Sequence, residues 1–336
     1  MKERKSNLEL LRIILIIMII ALHYNNTRMG GVFGNVENGT FNYYLSNFVE
    51  SLSIVAVNTF ILITGYFSNK KDSVKVSKVI NLFYICAIYG ILIFGTYFVF
   101  TKNISFGILK EFIKTIFDRW FVVIYSILYL LISYLNKLIN SLDKEKLKIL
   151  IIINTLFFYV WFTIFTNTTI KDGGYGIINF INLYLIGAYI KKYKDEYVPK
   201  YKTIIIYISC AIITTLLSCF TTRSAFAYNT IFNLIGSIAL FLTFKNLNIK
   251  NNKVINYLST FTFSTYIIHE NSFITKFLYR TIFKCDKYYN SSFIVINLLY
   301  TIIGIYVICI IFEIIRRFIM NKIDKKIDNI DYELKV

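Results

Sequence analysis

The chain has 336 residues, 56% of them hydrophobic, and carries 37 Lys and Arg against 19 Asp and Glu for a net charge of +18. So apolar a composition excludes an ordinary soluble domain. The charge does not argue for nucleic acid, because the cations lie in loops between apolar runs, where they orient a membrane protein. Several runs approach the roughly 20 residues needed to cross a bilayer, without the period-two alternation of a barrel. The expected class is an all-α integral membrane protein, a bundle of about ten transmembrane helices.

Lys2, Arg4 and Lys5 precede the first apolar run in the manner of a signal peptide. Ala21-Leu22-His23 is not a small-x-small cleavage site, so the run reads as a retained span. Within it, Asn7 to Asn26, the ionisable residues are Glu9 and Arg12 near the start and His23 near the end. Eleven helical steps separate Arg12 from His23, roughly 16 Å along the axis and within about 20° of one face. A charge inside a span costs about 2.5–3.5 kcal/mol, which marks such residues as functional candidates. The competing reading is a snorkelling Arg and an interfacial His without a task.

The expected spans run over about 8–24, 48–67, 79–100, 120–136, 148–166, 176–190, 203–220, 229–246, 255–275 and 292–315. Most Lys and Arg fall in alternate loops and in the tail, which predicts cytoplasmic N- and C-termini. Residues 101–119 lie on the opposite side. There Ile108, Leu109, Phe112, Ile113, Ile116 and Phe117 repeat at helical spacing, predicting an amphipathic helix in the interface that serves as a connector or covers an outward cavity. Five Cys show no metal-ligand spacing, and no metal site is expected.

The two His, His23 and His269, are both expected about fifteen residues outward from the cytoplasmic side. That predicts equal depth, about 22 Å, but not contact. Glu270 follows His269, and Glu50 opens the second span on the same side, so an outward cluster of His23, Glu50, His269 and Glu270 is expected. A His beside a carboxylate is standard equipment for a general base. At the cytoplasmic side, Glu9 and Arg12 are spaced to pair, and Lys70, Lys71, Lys75, Lys78, Lys191, Lys192 and Lys194 form a cationic ring. It suits a cytosolic polyanion such as a nucleotide or coenzyme A, although the same charges satisfy the positive-inside rule.

Several stretches also resemble, in order, the acyltransferase-3 family of bacterial integral-membrane acyltransferases. They are Arg12-x10-His23 with its Asn7, Glu9 and Leu10-Leu11 lead-in, VNTFILITGYF at 57–67, RWFVVIYSILYLLISYLNKLI at 119–139, NLYLIGAYIKKY at 182–193 and TFSTYIIHENSFI at 262–274. The chain departs from many relatives in having Lys75 and Lys78 where they carry an Arg-rich motif, and Ser133 where Pro is common. Lys cannot make the bidentate fork of Arg.

The resemblance implies one membrane domain over 1–336, with a core of about 7–317 and a charged cytoplasmic tail at 318–336. It implies a plasma-membrane enzyme of the bacterial type, moving an acyl group, most readily acetyl, from cytosolic acyl-CoA to a hydroxyl of a cell-surface or lipid-linked glycan. Acetyl-CoA would be a co-substrate, with no permanently bound cofactor. Arg12, Glu9, Lys75 and Lys78 would serve the donor. His23 would act as base or transient acyl carrier, with His269 and Glu270 in support. Glu50, Asn58 and Tyr184 would contact the acceptor. The rival class is a transporter or flippase for a glycan or lipid precursor, which the single Pro199 in a loop and the lack of an internal repeat weaken.

Overall fold

The computed structural model describes residues 4–165, 172–193, 199–330 and 332–335. The cation expected at Lys194 and the last residue of the 148–166 span lie outside them. The longer helices are α1 (Ser6–Asn25), α2 (Phe41–Ser53), α3 (Ala56–Ser68), α4 (Val76–Thr101), α5 (Phe106–Phe117), α6 (Trp120–Ser141), α7 (Lys144–Thr155), α8 (Ile177–Tyr193), α9 (Lys200–Thr221), α10 (Ile231–Lys245), α11 (Thr262–His269) and α12 (Ile294–Asp328).

Eight helical segments among the described residues are long and apolar enough to cross a membrane. Helices α2 and α3 form one of them, and α5 with α6 another. Two expected spans take other forms. The stretch 176–190 is α8, a buried helix of 17 residues. The stretch 255–275 is broken into a short helix, Lys253–Leu258, a 3-10 turn, Ser259–Phe261, and α11. The break has a physical cause. Backbone acceptors and hydroxyls there are taken by side chains of α12: Tyr306 donates to Leu258 O, and Arg317 donates to both the carbonyl and the hydroxyl of Thr260.

Helix α1 lies at the centre, with Leu8, Leu11, Leu15, Ile16 and Ile20 buried. Tyr24 donates to Asn297 (2.8 Å), and Tyr279 donates to Ile20 O (3.1 Å), tying α1 to the C-terminal elements. Helices α3 and α8 approach backbone to backbone through two glycines. A Cβ on Gly65 would stand 2.3 Å from Tyr184 O, and one on Gly187 2.4 Å from Leu62 O. The outward faces of α4, α9 and α12 expose Ile91, Val99, Ile205, Leu216, Ile296 and Phe312, as lipid contact requires.

The expected amphipathic helix at 101–119 is α5. It packs on α4, with Phe112 stacked on Phe94 at 4.5 Å. At the chain's end, β2 (Glu333–Lys335) pairs antiparallel with β1 (Ser73–Lys75), in the register Ser73↔Lys335, Val74↔Leu334 and Lys75↔Glu333.

Candidate active site

A cavity of ≈ 410 Å³ runs along one face of α1, lined by Arg12, Ile16, Ile19, His23, Asn26 and Met29. The spacing that puts Arg12 and His23 on one helix face thus puts them on one cavity wall. Facing residues include Glu50, Val57 and Phe60 from α2 and α3, Trp120, Phe121 and Tyr125 from α6, and Tyr266 of α11 with Glu270 just after it.

At one end of the cavity the two histidines touch. His23 Nδ1 and His269 Nε2 are 2.9 Å apart, with ring centroids at 4.9 Å. His269 is fully buried, and its Nδ1 meets the carbonyl of Thr265 one turn back. A carbonyl only accepts, so His269 carries its proton on Nδ1 and turns a lone pair at Nε2 toward His23. His23 therefore donates from Nδ1 and keeps a lone pair on Nε2. The chain of bonds from Thr265 O through His269 sets both tautomers and leaves a basic nitrogen on the half-buried ring that lines the cavity.

Glu270 also lines the cavity, and a buried Arg119 holds it at 3.2 Å. Arg119 Nε donates to Thr115 O at 2.7 Å, so the amphipathic α5 serves to seat this guanidinium. Sequence reasoning gave Arg119 no role of its own, although it opens the family-like stretch at 119–139 and abuts the aromatic start of α6. Glu50 accepts from Asn25 Nδ2 at 3.0 Å, and the same amide donates to Ser46 O. Of the expected outward cluster, His23, Glu50 and Glu270 reach one cavity, and His269 stands behind His23.

At the other end, Arg12 is a third exposed and lies 3.7 Å from Glu9. Glu9 is buried and accepts from Ser259 at 2.6 Å. Lys5 and Lys191 both reach the ring of Tyr66, at 5.5 and 5.0 Å, so cations gather beside this end. Lys75 and Lys78 lie outside the cavity wall, and Lys75 is 3.9 Å from Glu333 of the tail strand.

Asn58 and Tyr184 are closed off from the cavity. Asn58 donates to Tyr228 O at 2.8 Å, and Tyr184 donates to Asn136 at 2.7 Å. Asn136 in turn donates to the carbonyls of Ser68 and Lys71. Both brace the walls. Among the described residues, no group of three or more His, Cys, Asp and Glu is placed to hold a metal ion.

Comparison with curated proteins and with solved structures finds no match. A family model described as an acyltransferase domain matches residues 5–313, which takes in α1, the cavity and both histidines. A multi-pass chain with a basic imidazole fixed on a cavity wall is consistent with that chemistry and does not favour a transporter. The chain belongs to the acyltransferase-3 family and is a membrane acyltransferase.

Proposed function

We propose that this chain, as one membrane domain with both termini in the cytoplasm of a bacterial cell, moves an acetyl group from cytosolic acetyl-CoA to a hydroxyl of a cell-surface or lipid-linked glycan. The supporting observation is a single cavity with a cation at one end and a tautomerically fixed imidazole pair at the other. The anionic part of CoA lies near Arg12, which Glu9 orients, with Lys75 and Lys78 as outer contacts. The thioester lies along the cavity toward His23.

His23 Nε2 takes the proton of the acceptor hydroxyl as its oxygen attacks the thioester carbonyl. The tetrahedral intermediate collapses with cleavage of the C–S bond. The departing thiolate takes the proton back from Nε2. While His23 is an imidazolium, its Nδ1–H remains on the lone pair of His269, which plays the part that a carboxylate plays in a hydrolase triad. Glu270 and Glu50 accept hydrogen bonds from the acceptor's other hydroxyls and orient it.

The test is ester-linked acetyl on surface glycans of cells that carry the intact protein, its His23→Ala variant, or neither, with mild base as the release control. Acetyl present only with the intact protein is expected. Acetyl indifferent to both changes would overturn transfer to a surface glycan.

A further inference from the structure

The outer half of the cavity contains a feature with no part in moving the proton. Trp120 and Tyr228 are near-parallel at 5.9 Å (26°), and Tyr175 stands edge-on to both at 4.8 Å. All three line the cavity. The wall is firmly built. Gly173 and Gly174 take positive φ values (62° and 81°), which turns the loop before α8 so that Gly173 O accepts from Tyr228 N at 2.8 Å. Asn179 donates to Gly174 O, and Asn58 donates to Tyr228 O. Two loops distant in sequence are thereby stitched into one surface. Tyr228 lies within electrostatic reach of both Glu50 and Glu270, and Tyr175 within reach of Glu50.

We propose that Trp120, Tyr175 and Tyr228, with Glu50, form the acceptor subsite, and that it takes an uncharged, hydroxyl-bearing sugar ring. The term acceptor rests on the transferase reading above. A sugar ring has an apolar C–H face, which packs on an aromatic wall, and an edge of hydroxyls, which donate to carboxylates. Glu270 is neutralised by Arg119, and Glu50 already accepts from Asn25, so the pair offers hydrogen-bond acceptors more than a strong negative field. That favours a neutral sugar over an ammonium ligand. Anionic sugars are disfavoured, because among the described lining residues the fixed positive charge, Arg12, stands at the opposite end of α1.

The chain has two Trp, and the other, Trp161, is half exposed outside this cavity. Trp161→Phe therefore leaves Trp120 as the sole tryptophan reporter. In nanodiscs without donor, this protein is titrated with the methyl glycosides of glucose, galactose and N-acetylglucosamine, with glucuronate and with choline. A saturable change in Trp120 emission with at least one neutral glycoside is expected. Glu50→Gln and the exposed-site variant Tyr175→Ala should each weaken it about tenfold, with glucuronate and choline at least tenfold weaker than the sugar. No saturable response to any neutral glycoside, or tighter binding of glucuronate or choline, overturns the proposal.

The measurement needs no turnover. Surface acetyl that depends on His23, with no sugar response at Trp120, sinks this subsite alone. A sugar response with acetyl indifferent to His23 sinks the transfer reaction alone.

Discussion

His269 has both ring nitrogens committed to neighbours and His23 only one, and that division makes a kinetic prediction. His23→Ala removes the proposed base itself and should abolish transfer at normal protein levels. His269→Ala keeps His23 Nε2 in the cavity but strips the acceptor from its Nδ1–H, so ring orientation and imidazolium stabilisation are lost together. The expected result is a fall in kcat on the order of 10²–10⁴ with little change in donor KM, measured on purified protein in lipid. Equal loss of donor binding would mean that His269 supports the fold of the site instead. Arg12→Ala should do the reverse, raising donor KM more than it lowers kcat, because Arg12 sits at the other end of the cavity. The Arg12–His23 relation was legible in the sequence because it lies within one helix. The contact between His23 and His269 was not, because residues 246 apart meet only through packing. Arg119 was hidden for a similar reason: a cation near an interface reads as a loop charge until its partner Glu270 is placed.

Packing of the central helices turns on where a Cβ can be tolerated. Gly65 and Gly187 let α3 and α8 touch along their backbones, which keeps Asn58 and Asn179 close enough to bond at 3.2 Å behind the aromatic wall. Gly187→Leu would drive a side chain into Leu62 O and cost at least about 1–3 kcal/mol in overpacking. Lower yield and a lower thermal midpoint in detergent are expected. Gly95→Ala in α4 is the matched control: a Cβ there meets nothing within 4 Å, so the midpoint should hold or rise with the better helix former. If both variants behave alike, close approach is not what these glycines supply. The long apolar helices were readable from length alone. The break before α11 was not, because the groups that interrupt it, Arg317 and Tyr306, belong to α12 and are invisible to any local pattern.

Helix α12 joins the membrane core to the tail. Its 35 residues span roughly 52 Å, well beyond a hydrocarbon core of about 30 Å, so its end projects into water. A buried network of Glu313 with Arg316, Arg317 and Tyr89 anchors it where it leaves the bundle, and Asp324 adds a second carboxylate on Arg316. The chain then returns as β2, lying beyond the residues matched by the family. Glu333 there accepts from Ser73 and faces Lys75, one of the cations proposed to meet the donor. A carboxylate beside that ammonium occupies the side where a phosphate would bind, so the tail and the proposed donor would compete for one charge. Deleting 329–336 should therefore lower donor KM while leaving kcat unchanged, since the imidazole pair lies at the other end of the cavity. Glu333→Gln should reproduce most of the effect without removing the strand, and the gain should vanish in a Lys75→Ala background. Should the deletion leave donor KM unchanged, Lys75 would not be a donor contact, and the cations that gather near Arg12 from Lys5 and Lys191 would be the ones to substitute next.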